Sequence, residues 1–370
     1  MTGGLVTGAS VGFGFLGAGT IARTALAPAV HAADGAHLQA AAARDASRAV
    51  ALEPSGRSYD DYAALLADDT VDVVYVSLAN DAHAPWTVAA LEAGKHVLCE
   101  KPLGLDPAEV RRMTDAAAAA DRLLVEAWWY RWHPRTLRAV ELVRSGALGR
   151  VHRVEADFSF DGDPDGMSGN YRLDPAKGGG ALYDVGCYAV DAARWALGAD
   201  ALEVVSAEGE VRGGVDLRAS ARLSGPGGTV ADVRCGIRGR DEQLVAVYGE
   251  DATLVLGRPS FTAKDEPVAL HVVPVTRQAG PEPQAPADDL RPGTAPGDAP
   301  RQEAPAPLVV RADRRTEEFA AVDPYRLMVE ALSRAVRGED EWLPTAQDSL
   351  DIALVLEQAR TQVHAAGGAR

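Results

Sequence analysis

Lysine is scarce in this chain of 370 residues: only Lys95, Lys101, Lys177 and Lys264 occur, although arginine is plentiful. Positive charge as a whole is short, with 37 Lys and Arg against 53 Asp and Glu, a formal net charge of −16. That balance excludes nucleic acid and anionic membrane as partners, since both require concentrated positive charge. Cysteine is nearly absent. Cys99, Cys187 and Cys235 are odd in number and show no CxxC spacing, which excludes a zinc ribbon and fits a reduced, cytoplasmic protein. No apolar run approaches the roughly 20 residues of a membrane span. Residues 1–12 are glycine-rich and polar, without the basic stretch of a secretory leader. No His, Cys, Asp or Glu cluster has metal-ligand spacing, so no metal is expected.

What is present is the composition of a folded chain, 47% apolar and 24% charged. The length exceeds what one ordinary core supports, and two domains are expected. Val11–Gly17 reads as a short buried strand and Thr20–Ala32 as a helix. Between them lies Gly17-Ala18-Gly19-Thr20-Ile21-Ala22, the G-x-G-x-x-A pattern of a dinucleotide-binding turn. Gly17 permits the tight turn, Gly19 lets backbone approach a diphosphate at the helix N-terminus, and Ala22 allows close helix–strand packing. A second register, Thr7-Gly8-x-x-x-Gly12-x-Gly14, mimics the short-chain dehydrogenase turn. Those enzymes also carry Tyr-x-x-x-Lys, and here the residues four before each lysine are Leu91, Val97, Leu173 and Ser260. That register is rejected.

The next strand, Leu38–Ala43, ends in Arg44-Asp45-Ala46-Ser47-Arg48. Arg44 at the tip, with Arg48 one helical turn later, suits a 2′-phosphate and favours NADP. Asp45 can serve the free ribose of NAD or simply cap a helix. Val71–Ser77 is dense in β-branched residues, as buried parallel strands are. It leads to Leu78, Asn80 and His83, which either meet the dinucleotide or satisfy turn and helix-start backbone groups. The apolar run His96–Cys99 follows and delivers Glu100-Lys101-Pro102. The proline biases Lys101 to extended backbone, at the carboxyl end of a strand, where open α/β sheets bind ligands. A helix over Pro107–Ala120 and a strand over Leu123–Glu126 complete an alternating pattern that predicts a doubly wound parallel sheet.

After Ala127 the character changes. Trp128, Trp129 and Trp132 stand within five positions, and Arg131 lies among them. Such a run suits core, domain interface or a cleft wall. A helix over Thr136–Ser145 and a strand over Val151–Phe160 follow. Gly178-Gly179-Gly180 then opens a helix running to about Leu197, on which Asp184, Tyr188 and Asp191 share one face. Further strands are expected over 202–211, 215–223, 229–237, 243–248 and 252–256, and helices over 323–336 and 345–363. Residues 276–307 are dense in Pro, Ala, Gly and Asp and read as an insertion that buries no core.

Glu100-Lys101-Pro102 behind a Rossmann half, followed by Gly178-Gly-Gly-Ala-Leu-Tyr-Asp184-x-Gly186-x-Tyr188, resembles the Gfo/Idh/MocA oxidoreductases. The segments 43–49, 126–134 and 178–198 are most similar to its NADP-linked aldose and dihydrodiol dehydrogenase branch. The resemblance implies a Rossmann domain (1–127), a substrate and oligomerisation domain on an open, mainly antiparallel sheet (128–345) and a C-terminal helix (346–370). It implies Lys101 and Tyr188 as the catalytic pair and self-association as a dimer or tetramer; Asp184, a carboxylate beside them, would orient or tune Lys101. Gly17, Gly19, Thr20, Ile21, Arg44, Asp45, Arg48, Leu78, Asn80, His83, Glu100 and Lys101 are the candidate cofactor contacts. Lys101, Trp128, Arg131, Tyr171, Asp184 and Tyr188 are the candidate substrate contacts.

The expected reaction is hydride transfer between a sugar hydroxyl and NADP, NAD being the second choice. Tyr188 would move the proton, with nearby Lys101 favouring its ionised form and steadying the alkoxide. A nucleotide-sugar 3-ketoreductase is the alternative on the same fold, although Arg131, Arg135 and Arg172 are the only basic residues near the expected cleft. A non-catalytic dinucleotide-binding regulator is a further alternative, against which the presence of both Lys101 and Tyr188 argues.

Overall fold

The computed structural model describes residues 10–162, 166, 169–198, 202–239, 241–275 and 314–367. The 276–307 insertion lies outside them. The first domain is a six-stranded parallel sheet in the order β3-β2-β1-β4-β5-β6. Its strands are β1 (Val11–Leu16), β2 (Ala36–Ala42), β3 (Arg57–Tyr59), β4 (Val73–Val76), β5 (His96–Cys99) and β6 (Leu124–Glu126). Every residue of β1 and β4 is buried, as strands covered on both faces require. Gly12 and Gly14 therefore sit inside a strand and not in a turn, against the short-chain register.

The crossovers carry α1 (Ala27–Ala32), α2 (Ala46–Val50), α3 (Tyr62–Leu66), α4 (His83–Glu92) and α5 (Pro107–Ala120). Sequence sets the ends of α5 clearly. Asp106 accepts from the Glu109 amide at 2.7 Å, Glu109 reaches back to the Leu105 amide at 2.8 Å, and Pro107 opens the helix. The helix before α1 is wider than expected: residues Ala22–Leu26 form a π-helical turn.

The second domain is an eight-stranded sheet in the order β14-β13-β12-β11-β7-β10-β9-β8. Its strands are β7 (Val151–Ser159), β8 (Glu203–Arg212), β9 (Val215–Ser224), β10 (Val230–Gly236), β11 (Glu242–Gly249), β12 (Ala252–Leu256), β13 (Val268–Pro274) and β14 (Arg315–Phe319). Only β7 and β10 pair in parallel; the other neighbours are antiparallel. The two-sheet architecture is the one expected, with β3, β13 and β14 added to the strands read from sequence.

Helices α6 (Pro134–Arg144), α7 (Cys187–Leu197) and α9 (Ala346–Gly367) pack on this sheet, and α8 (Pro324–Val336) packs on α1. α9 also touches α5 and β6, so the C-terminal helix clamps both sheets together. One apolar core runs from β1 through Trp128 and Tyr188 to β7 and β11. The opposite face of the second sheet carries an ionic ladder, with Asp232 between Arg153 and Arg222, and Arg234 on Asp157. Among the described residues no helix is long and apolar enough to cross a membrane, and all three cysteines are buried free thiols.

Candidate active site

The carboxyl ends of β1, β4 and β5 open into a cleft of about 1190 Å³, walled on its far side by residues of the second domain. At one end β1 runs into Gly17, whose φ of 99° and proximity to Ser77 O leave no room for a side chain. Gly19 is different: a Cβ there would meet no protein atom within 4 Å. It faces the cleft at the start of a helix, beside Thr20 and Ile21, and leaves space for a diphosphate against free backbone amides. Arg48 braces the turn through a 2.6 Å bond to Ala18 O. Arg44 is exposed at the tip of β2, lines the cleft, and holds no hydrogen bond or ion pair among the described residues.

Asp45 takes the capping role. Its carboxylate accepts from the Ser47 amide at 3.0 Å and the Ser47 hydroxyl at 2.6 Å, which hold its pKa below the usual value, and it does not line the cleft. Leu78, Asn80 and His83 all line it, but the side chains of the last two are spent on structure. Asn80 donates to Gly178 O at 2.9 Å across the domains, and the buried His83 ring lies 2.8 Å from Pro102 O. Tyr62 and Trp86, packed edge to face at 4.9 Å, add an aromatic wall that no sequence signal marked.

At the other end stand Lys101, Asp184 and Tyr188. Lys101 Nζ donates to Asp184 O at 2.7 Å and lies 3.4 Å from Asp184 Oδ1. Arg172 Nε holds the other carboxylate oxygen at 2.6 Å. Burial opposes charge in this triad. Asp184 nonetheless carries Lys101 above its ordinary pKa, while Lys101 and Arg172 keep Asp184 below the carboxylate range. Glu100 points away from the lysine chemistry and accepts the Tyr75 hydroxyl at 2.7 Å; burial raises its pKa.

Tyr188 occupies an aromatic cage, with Trp128 edge-on at 5.3 Å and Phe158 at 5.3 Å. Lys101 Nζ sits 5.2 Å from its ring centroid, not on its oxygen. Burial pushes the phenol well above 10, so the tyrosinate expected beside Lys101 is not the form this site favours. The Tyr188 oxygen accepts instead from Trp129 Nε1 at 2.9 Å, and Trp129 lies flat on Tyr325 at 4.4 Å.

Two expected substrate contacts do not reach the cleft. Trp128 is fully buried behind Tyr188. Arg131 turns inward to Asp191 at 2.8 Å and covers the Trp342 ring. Tyr171 does line the cleft, as do Trp129, Gln243, Thr262 and Tyr325, which sequence reasoning left out. Glu126 was also missed. It is 3% exposed, accepts the Leu103 amide at 2.8 Å just beyond Lys101-Pro102, and is pushed up to about 7 by burial.

A dinucleotide turn at one end of a cleft and a lysine–tyrosine pair at the other, on two joined sheets, define a two-domain oxidoreductase. The chain belongs to the Gfo/Idh/MocA family: residues 11–127 match its oxidoreductase domain with NAD-binding Rossmann fold, and 136–255 its C-terminal domain. It is 37% identical over 330 residues to D-xylose 1-dehydrogenase (NADP(+)) 2 of Haloferax volcanii, covering 88% of each chain. It is 36% identical to trans-1,2-dihydrobenzene-1,2-diol dehydrogenase of Mus musculus over 54% of this chain and 60% of that one. Among solved structures, a 3-ketoreductase from Actinomadura kijaniata in complex with NADP and TDP-benzene superposes with a TM-score of 0.77. That pair shares 26% identity, covering 95% of this chain and 98% of the other.

Proposed function

We propose that the protein is an NADP-dependent oxidoreductase that moves hydride between a sugar hydroxyl and the nicotinamide, acting on aldoses at C1. The observation that carries this reading is the meeting of Lys101 and Tyr188, from separate domains, at the end of the cleft opposite Gly19. The relationship to the xylose dehydrogenase, which spans most of both chains, supports the same substrate class. Gly19, open to the cleft, fits the diphosphate, and the unpaired Arg44 fits the 2′-phosphate of NADP. Tyr62 and Trp86 suit the adenine ring.

When bound, NADP supplies the carbon that accepts or returns the hydride. The chain supplies the rest. Lys101, held charged by Asp184, stabilises negative charge on the sugar oxygen. Tyr188 carries the proton. Its high pKa keeps the phenol protonated and available to donate to a carbonyl oxygen, and the reverse direction requires the phenol to be deprotonated first. Aldose oxidation should therefore climb with pH through 9, while reduction, which uses the protonated phenol, should hold steady over the same range.

A nucleotide-sugar 3-ketoreductase is the second reading, favoured by the match to the Actinomadura enzyme. It would need cations for a nucleoside diphosphate. Among the described residues the basic groups on the substrate wall, Arg172 and Lys177, face Asp184 and Asp174. Arg131 and Arg135 are buried elsewhere. A neutral sugar fits better. The uncovered face of the second sheet suits self-association as a dimer or tetramer, and the free thiols suit the cytoplasm. The test is NADP or NAD reduction against a panel of aldoses, with wild type and Lys101→Ala. Aldose-dependent NADPH formation, cut about 1,000-fold in the variant with NADP still bound, is expected. Silence across the panel would remove the aldose reading.

A further inference from the structure

Trp129 is 6% exposed, stacked on Tyr325, and aims its indole N–H at the Tyr188 oxygen. An indole nitrogen can only donate. The bond therefore occupies a lone pair of Tyr188 and keeps the phenol proton from turning toward Trp129. Among the described residues no other group donates a hydrogen bond to that oxygen. We propose that Trp129 is a positioning residue: its N–H turns the Tyr188 proton toward the substrate and steadies the negative charge that oxygen bears during proton transfer. The inference rests on the dehydrogenase reading above.

In reduction the Tyr188 O–H bond breaks, its electron pair stays on the tyrosine oxygen, and the proton bonds to the substrate carbonyl oxygen as hydride from NADPH reaches the carbon. Oxidation reverses each change. A hydrogen bond to an ionised oxygen is worth more than one to a neutral oxygen. The Trp129 bond therefore strengthens as the phenolate forms and brings the phenol closer to a working pKa; burial works the other way.

Other groups around Tyr188 do not replace it. Lys101 and Glu100 approach from the loop after β5, yet Lys101 lies over the ring and Glu100 holds Tyr75. Asp184, one turn earlier on the same helix, is taken by Lys101 and Arg172, and Tyr171 beside them is held un-ionised by burial. Asp191, one turn later, is closed off by Arg131 and Tyr130. Tyr325 on α8 and the adjacent Cys187 are kept neutral by burial.

Two replacements remove the donor while keeping a ring: Trp129→Phe, and benzothienylalanine at 129, which preserves the indole shape. The second decides if the first fails to fold. Turnover is expected to fall about 10- to 100-fold, and the pH–rate curve for aldose oxidation to move up by about one unit. Loss of turnover with the curve in place would make Trp129 mere packing, and unchanged turnover would overturn the inference directly. A second readout needs no activity. The indole N–H resonance that disappears in Trp129→Phe should move upfield in Tyr188→Phe, and an unmoved resonance would contradict the contact. If wild type oxidises no aldose, the functional reading falls, and the resonance still decides whether Trp129 holds Tyr188.

Discussion

Two glycine-rich turns in this protein open helices of the same unusual build, and they differ at one glycine: packing requires Gly17, Gly178 and Gly180, but not Gly19. Gly17-Ala18-Gly19 leads into a π-helical turn at Ala22–Leu26, and Gly178-Gly179-Gly180 into another at Leu182–Gly186. π-helical turns concentrate at functional sites. At the second turn the protein itself demands glycine: a Cβ on Gly178 would collide with Leu105, and one on Gly180 with the Asp216 carboxylate. That carboxylate accepts the Leu182 amide at 2.7 Å, so the chain supplies the anion for its own helix N-terminus. At the first turn Gly19 meets nothing, and the space where an anion could sit stays open. One signature thus marks a turn left open toward the cleft in the first domain and a closed, packed turn beside Lys101 and Tyr188 in the second.

The comparison breaks most easily at the closed turn. Gly180→Ala adds a methyl at φ 122°, against Asp216, and should destabilise the protein by about 3–5 kcal/mol. A near-normal melting temperature would show that the turn is looser than its packing implies. Next in size is Glu126, which holds the Leu103 amide two residues before the Leu105 that covers Gly178. Its pKa in the fold, about 7, lies above the ordinary carboxyl value near 4.5. The stability this contributes is complete below pH 4.5 and lost as pH rises through 7. Glu126→Gln should flatten that slope and be the more stable form at pH 8, by up to about 3 kcal/mol. Denaturant unfolding across pH 4.5–8 would check this, and a slope of the opposite sign would contradict it.

The open turn should respond differently. Gly19→Ala should unfold like wild type but bind NADP about 10- to 100-fold more weakly in calorimetry, because its methyl enters the diphosphate space. A stability loss with intact binding would reverse the comparison. Arg44→Ala is the smallest step, expected to weaken NADP about 10-fold while leaving NAD nearly unchanged. Equal effects on both would remove the 2′-phosphate assignment.

The contrast also shows how far sequence reaches. The first domain was legible because each layer speaks locally: fully buried runs for β1 and β4, and a cap, a proline and a reciprocal glutamate for α5. Lys101 and Tyr188 were legible as types at fixed places after a strand and on a helix. The choice between Trp128 and Trp129 was not. The two follow β6 in an irregular turn, where no period fixes which ring faces the core. Arg131 was misplaced because its partner, Asp191, lies on another helix. The ionisation of Tyr188 depends on a cage assembled from β7, the turn after β6 and Phe261, and Glu126 is buried where α9 returns over β6. β14 is a short, charged edge strand without alternation, invisible to pattern.

The decisive test of hydride transfer at C1 uses an aldose deuterated there, incubated with NADP and the wild-type protein. Deuterium should appear on the reduced nicotinamide, formed more slowly than from the protiated sugar and suppressed in Lys101→Ala. Reduced NADP carrying no deuterium would show that the hydride leaves another carbon. Equal formation in Lys101→Ala would show that the lysine beside Tyr188 is not part of the chemistry.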